Sequence, residues 1–327
     1  MTDAQKAPYA LRLGRYDEGA GMVGIERERK AEIPVSAELG RLFCSSIEDG
    51  NPSYWDETFA KSTWGSLIAP PAMLFAFGQP LAWSPGTRER LPQLAILVPL
   101  PGNQIINSRH QVTYLAPLRV GSRLSIWERL DQISEEKQSH LGKGHFVTVR
   151  LIFSDESGEA IAEISNTSFR FTADQESGPA AAAVQRIEVP SSPAEDRISI
   201  PDIMFKVSKY KAALGSMVSL DQYPAHYDLE YARAIGLQAI SLNTMQIMGL
   251  FARFATEWAG PDSFLIENDL HLARPAYEGL LRVSGGVISP GTVNSRDNGK
   301  LVRIRAQITD AQGARVASAN LLIRAKH

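Results

Sequence analysis

Cysteine is almost absent. Cys44 is the only one in 327 residues, which excludes an intrachain disulfide and suits a reducing compartment. A surplus of either charge is missing too. The 34 lysines and arginines face 36 aspartates and glutamates, a formal net charge of −2, so nothing cationic is left over to hold a nucleic-acid backbone. No apolar run approaches the ~20 residues needed to cross a bilayer. Residues Met1 to Lys6 show no basic stretch leading into an apolar one, so no secretory signal is read. The expectation is a cytoplasmic chain without nucleic-acid or membrane partners. Phosphate-cradling glycine loops, Cys-x-x-Cys pairs, His-Glu-x-x-His and Gly-x-Ser-x-Gly are also missing. The expected chemistry uses no metal and no tightly held cofactor.

Apolar material, by contrast, is ample: 44% of residues are hydrophobic and 21% charged, a globular composition. From Asp174 to Pro193, Ala, Pro, Ser and Gly dominate and apolar periodicity stops. This predicts a linker over 174–197 between an N-terminal unit, 1–173, and a C-terminal unit, 198–327.

The two units resemble each other. Asp49-Gly50-Asn51-Pro52-Ser53-Tyr54 has a counterpart in Asp221-Gln222-Tyr223-Pro224-Ala225-His226, and Gly65 and Gly236 follow the aspartates by 16 and 15 positions. Ala116 to Gly121 matches Arg274 to Gly279, and Asp155-x-x-Gly158 matches Asp310-x-x-Gly313. Four landmarks in one order indicate a duplicated fold.

Period assigns the elements. Ile240, Ile247 and Phe254, with Met248, Phe251 and Trp258, lie at helical spacing, and Leu242, Met245 and Leu250 add apolar surface on other faces. That predicts a helix wrapped on all sides. In the N-terminal unit, Pro70-Pro71 leads into a Met73-to-Phe77 helix, prolines being tolerated in a first turn. The segments 124–127, 146–153 and 161–171, then 281–283, 301–308 and 316–323, are β-branched and aromatic, and read as strands. A buried helix followed by an antiparallel meander, twice over, is α+β rather than doubly wound.

The stretch that can react is Ser219 to Asp228. A carboxylate at Asp221 and an imidazole at His226, five positions apart across Pro224, cannot share a regular helix, but a loop can aim both inward. Aspartate and histidine, with reference pKa values of about 3.9 and 6.5, are suited to hold a water and carry a proton near neutrality. The same residue types also cap helices and shape turns, so the motif alone has an ordinary structural reading.

At these residues the sequence resembles the MaoC-like (R)-specific enoyl-CoA hydratase and 3-hydroxyacyl thioester dehydratase family. Its signature, roughly Ser-Gly-Asp-x-Asn-Pro-x-His, is met by Ser219, Asp221, Pro224 and His226, with Tyr231-Ala232, Gly236 and Pro275-to-Gly279 following. The N-terminal unit is similar to the degenerate half of two-unit members: Asp49, Asn51 and Pro52 remain, while Tyr54 stands where histidine would. The resemblance implies two tandem hot-dog units forming an internal pseudo-dimer, each an antiparallel sheet wrapped around a helix. It implies that Asp221 and His226 activate water for addition to a trans-2-enoyl thioester, or the reverse dehydration, with coenzyme A only as part of the substrate. A backbone N–H at the start of the central helix would polarise the carbonyl. Where the family has His-Gly, this chain has Asn243-Thr244. With Ser219, these are the expected oxyanion or positioning residues, and a side-chain donor role for Asn243 stays open. Leu220 for Gly and Tyr223 for Asn are further departures.

Asp49 with Tyr54 reads as a vestigial pair. Met73, Phe75 and Phe77 could line an acyl pocket or form plain core. Arg109 and His110, and likewise His271 beside Arg274, could meet coenzyme A phosphates or be solvated surface. Cys44 reads as a buried apolar residue. The leading reading is a hydro-lyase for a bulky or long acyl-CoA or acyl-carrier thioester. A catalytically silent acyl-CoA-binding subunit of a hydratase complex and a hot-dog thioesterase are the alternatives. A homodimer is compatible with either.

Overall fold

In the computed structural model the described residues are 11–83, 85, 92–139, 141–173, 198–289, 293–294 and 299–325. The expected linker, 174–197, lies outside them. The strands are β1 (Glu26–Lys30), β2 (Gln104–Tyr114), β3 (Ser125–Ile133), β4 (Lys137–Ser139), β5 (Gly142–Ser154), β6 (Ala160–Ala173), β7 (Ile198–Val207), β8 (Phe264–Leu272), β9 (Gly279–Ser289), β10 (Val293–Asn294), β11 (Gly299–Thr309) and β12 (Arg315–Ala325). They form one sheet in the order β1-β3-β5-β6-β2-β8-β12-β11-β9-β7, with β4 on β5 and β10 on β11. Every one of these pairings is antiparallel.

The order is a palindrome of two equivalent five-strand sheets joined edge to edge at β2 and β8. At the junction Gln111 faces Asp269, flanked by Arg109 opposite His271 and Thr113 opposite Glu267. The repeated landmarks are structurally equivalent. Ile68 bridges Arg119 as Ser241 bridges Tyr277. The N–H groups of Ala69 and Leu242 donate to Leu118 and Ala276. Asp155 and Asp310 each accept two backbone N–H bonds inside a hairpin turn closed by a glycine at φ 84° and 79°. Even an irregularity recurs: a β-bulge at Ser108 in β2 has its counterpart at Ile266 in β8.

The central helix, Thr244–Ala259, starts with Asn243 as N-cap, its side chain accepting from the Gln246 N–H while the Gln246 side chain accepts from the Asn243 N–H. From Met245 to Thr256 only Arg253 is not buried, as the all-round apolar pattern predicts. Gly249 lets it approach the Ala37–Ile47 helix of the other unit; a Cβ there would lie 2.7 Å from Ile47 Cδ1 and 3.0 Å from the Phe43 ring. The apolar core is consequently shared between the units, running from Val35 and Phe43 to Leu321 and Ile323.

The N-terminal counterpart is shorter than the repeat suggests. Pro71–Met73 is a 3₁₀ turn and Leu74–Phe77 a single helical turn, ended by Gly78, where a Cβ would meet the Phe153 ring at 2.9 Å. The strands run longer than the β-branched segments alone indicate. β1, β2, β7 and β8 are added by pairing partners distant in sequence.

Candidate active site

Helix Lys209–Val218 ends at Ser219, and the chain reverses through Leu220 at φ 55° before reaching Asp221. A left-handed φ costs a β-carbon about 1–2 kcal/mol, which is why glycine suits that position and leucine is strained there. The same conformation occurs at Glu48, φ 58°, just before Asp49. Asp221 then forms an Asx turn, Oδ1 accepting from the Tyr223 N–H at 3.1 Å, and this aims Oδ2 at His226. A 3₁₀ turn, Pro224–His226, delivers the imidazole.

His226 Nδ1 donates to the Ser241 carbonyl at 2.9 Å, so Nε2 carries the lone pair and faces Asp221 Oδ2 at 3.7 Å. That separation exceeds a direct hydrogen bond and leaves both atoms able to bind one further polar group. Both side chains are about one-sixth exposed, 17% for Asp221 and 16% for His226. Tyr223 packs edge-on against His226 with ring centroids 5.8 Å apart, and equally against Tyr231. Gln222 Nε2 reaches the Pro80 carbonyl of the other unit at 2.7 Å.

The loop is stitched to the start of the central helix at two points. One is the His226–Ser241 bond. The other is Asn243 Nδ2 donating to Ser219 Oγ at 2.7 Å. Ser219 and Asn243 are both wholly buried, and Asn243 Oδ1 takes the Gln246 N–H at 2.9 Å. Their side chains hold the loop and helix together and present no surface to a ligand. Thr244, the next residue, is partly exposed, and the first-turn N–H groups have no acceptor within the helix. The site is thus a carboxylate, an imidazole with its Nε2 lone pair free to accept, and the positive end of a buried 16-residue helix.

The N-terminal equivalent has the same backbone and different chemistry. Asp49 Oδ1 accepts from the Asn51 N–H at 3.0 Å, as Asp221 does from Tyr223. Tyr54 replaces the imidazole, and burial raises its phenol well above the ordinary range, so it keeps its proton near neutrality and cannot act as a base. Pro71 stands where Thr244 stands and has no N–H to donate. Tyr54, Trp64, Pro71, Leu74 and Leu265 instead border an apolar cavity. Burial lifts Asp49 to about 6, against the pull of the Asn51 N–H and Arg253. An acid whose folded value is raised carries no penalty below about pH 4, loses stability as the unfolded chain ionises first, and bears the full cost above the folded value. Asp49→Asn keeps the Asx turn and removes that cost. It is expected to stabilise the protein by about 2 kcal/mol at pH 8 and not at pH 4. Denaturant titrations at both pH values check this; equal shifts at the two would refute it.

Met73 and Phe77 have no exposed surface and belong to the core, while Phe75 packs edge-on to His110 at 5.2 Å. The acyl-pocket assignment therefore gives way to core for Met73 and Phe77, because the short helix turns that face into the sheet. Arg109 forms a bidentate pair with Asp269 at 2.8 and 2.9 Å, and His271 joins the same carboxylate at 3.4 Å. His110 is buried, so it offers no coenzyme A phosphate contact. Cys44 is buried, and its thiol is held well above the usual range by burial. Asn107, Asn166 and Ser168 carry no motif and were not legible in the sequence. Asn107 nonetheless donates to Thr244 Oγ1 at 3.1 Å across the unit junction. No helix among the described residues is long and apolar enough to cross a membrane.

Residues 21–164 match the model of the FAS1-like dehydratase domain region. The chain is 28% identical over 142 residues to the probable enoyl-CoA hydratase alpha subunit of Thermomonospora curvata, covering 41% of this chain and 44% of that protein. It is 25% identical over 147 residues to the 3-oxo-4,17-pregnadiene-20-carboxyl-CoA hydratase alpha subunit of Mycobacterium tuberculosis, covering 43% and 46%. The chain spans about half the length of the curated relatives it matches. A solved MaoC-like dehydratase superposes with a TM-score of 0.72 at 19% identity, covering 94% of this chain and 100% of that one. With the duplicated helix-in-sheet units, this gives the chain a double hot-dog fold, the fold of the solved MaoC-like dehydratases it is similar to.

Proposed function

We propose that the chain adds water to a trans-2-enoyl thioester, or removes it from a 3-hydroxyacyl thioester, using Asp221 and His226. The observation that carries this is the Asp221 Oδ2 to His226 Nε2 gap of 3.7 Å, fixed from both sides by the Asx turn and the Ser241 carbonyl. A water held there donates one hydrogen to the carboxylate and the other to the imidazole. As its oxygen bonds to C3, His226 Nε2 takes that proton and the C2=C3 electrons move toward the thioester oxygen. Donors at the start of the central helix stabilise the resulting enolate. The imidazolium then returns the proton to C2, so one water is consumed and the enzyme is unchanged. The reverse order of steps is dehydration.

The substrate is a coenzyme A or acyl-carrier thioester. A bulky acyl group is supported by the N-terminal unit, which keeps the hot-dog frame and Asp49 but has Tyr54 in place of the histidine, beside an apolar cavity. The relative named a 3-oxo-4,17-pregnadiene-20-carboxyl-CoA hydratase alpha subunit points the same way. A second reading, that the chain works as one subunit of a hydratase complex, is favoured by both relatives being named alpha subunits. Loss of enoyl-thioester absorbance across short, long and ring-bearing acyl-CoAs, on the purified chain alone, separates the two. Turnover by the chain alone supports self-sufficiency. Binding without turnover assigns the activity to a complex.

A further inference from the structure

We propose that the Thr244 side-chain hydroxyl donates to the thioester carbonyl oxygen, and that Asn107 from the other unit positions it for this. The inference rests on the hydro-lyase reading and names a donor beyond the Asp–His pair.

The hydrogen bonds around Asn107 form a chain whose direction is set at His110. His110 Nδ1 faces Asn166 Oδ1 at 2.9 Å, and because Nε2 is buried without a hydrogen-bond partner, the tautomer with its proton on Nδ1 avoids an orphaned N–H and Nδ1 donates. Asn166 Nδ2 then donates to Asn107 Oδ1 at 3.2 Å, and Ser168 Oγ donates to the same oxygen at 3.0 Å. With the direction set at His110, two donors on its oxygen hold the Asn107 amide in this orientation. Its nitrogen is committed to Thr244 Oγ1 at 3.1 Å. A threonine hydroxyl has one hydrogen. With Oγ1 accepting from Asn107, that hydrogen points away from Asn107, and donation along the chain polarises it further. Thr244 is the first helical residue, partly exposed, three positions after the carbonyl that fixes His226. The chain thus runs from the buried His110, across the unit junction, to a donor beside the helix N-terminus.

The bulge at Ser108 supports the positioning role. The extra residue between Asn107, opposite Ser168, and Arg109, opposite Thr167, redirects Asn107 toward the other unit.

The molecule also holds its own control. The pseudo-twofold places Leu265 of β8 where Asn107 lies in β2, since Leu265 precedes the equivalent bulge and faces Ile323 as Asn107 faces Ser168. Leu321 opposes Asn268 as Asn166 opposes His110. Pro71 occupies the place of Thr244. So the site that retains Asp and His also holds Asn107, Asn166 and Ser168 of the other unit beside Thr244. The equivalent site, whose loop has Tyr54 in place of histidine, holds Leu265, Leu321 and Ile323 of the other unit beside Pro71. A network serving stability alone would have no reason to segregate with the acid–base pair.

The test compares Thr244→Val, which keeps shape without the hydroxyl, with Thr244→Ser, which restores it, and with Asn107→Leu. Each is checked for intact unfolding transitions. Two readouts are taken: kcat and KM for the best enoyl-CoA, and the absorbance maximum of bound 4-dimethylaminocinnamoyl-CoA, which reddens as its carbonyl is polarised. Thr244→Val is expected to lower kcat about 10²-fold with little change in KM and to reduce the red shift. Thr244→Ser is expected to recover most of both, and Asn107→Leu to fall between. A Thr244→Val protein with kcat and red shift within threefold of wild type overturns the inference while Asp221→Asn still tests the hydro-lyase reading. A red shift that depends on Thr244 in a wild type without turnover keeps the inference and overturns the reading. Neither turnover nor red shift in the wild type overturns both.

Discussion

Asp221→Asn and His226→Ala are each expected to cut hydration turnover by about 10²–10⁴-fold without unfolding the protein. The aspartate change keeps an oxygen to receive the Tyr223 N–H, so the Asx turn survives. It puts an NH₂ group where Oδ2 now faces His226, and that group cannot accept a hydrogen from water. The histidine change removes the imidazole whose Nε2 faces Oδ2 and whose opposite nitrogen is held by Ser241. The two losses should be far from additive, because either residue alone cannot hold and deprotonate the same water. Steady-state kinetics of the two single variants and the double variant decide this. Full activity in either single variant would place the chemistry elsewhere.

Glu128→Ala is expected to destabilise the protein by about 3–5 kcal/mol, the largest effect on stability among the polar positions considered. Glu128 sits in β3 with no exposed surface. Oε2 accepts from Arg27 Nε at 2.9 Å and from the Leu94 N–H at 3.3 Å, and Oε1 accepts from Arg29 Nε at 2.5 Å. The two arginines also reach the carbonyls of Pro92 and Gly78. One carboxylate thereby fastens the charged edge strand β1 and the chain around Leu94 to the sheet. Truncation leaves two guanidinium groups, 14% and 12% exposed, without their counter-charge. Asp131→Ala provides the contrast. Its partners Arg129 and Arg150 are about half exposed, 45% and 55%, so solvent screens the pair and the loss should stay within about 1 kcal/mol. Denaturant midpoints compared at equal slope read both variants, and a similar loss in the two would refute the assignment.

Much of the local structure was legible from residue types. The all-round apolar pattern from Met245 to Thr256 specifies a wrapped helix. Asp-x-x-Gly specifies a hairpin turn because the carboxylate caps two N–H groups and the glycine takes a positive φ. The paired landmarks specified the duplication, and Asp-x-x-Pro-x-His specified a loop able to aim a carboxylate and an imidazole inward. These are short-range consequences of backbone geometry and side-chain chemistry, so they can be read from neighbours in the chain.

What lay beyond the sequence depends on groups brought together from far apart. Asn243 offered a donor on paper, and only packing shows its amide spent on Ser219 and Gln246. Met73, Phe75 and Phe77 are equally suited to a tunnel or a core; the short helix, ended at Gly78, turned Met73 and Phe77 inward. The β2–β8 junction, the shared bulge, and the Asn107–Thr244 bond spanning 137 positions were decided by tertiary structure alone. A strand pairing or a side-chain hydrogen bond at that separation has no periodicity to betray it. The sequence by itself determined which residues can exchange protons and that two like units exist. The fold decided what surrounds each loop, by setting Thr244 and Asn107 at one site and Pro71 and Leu265 at the other.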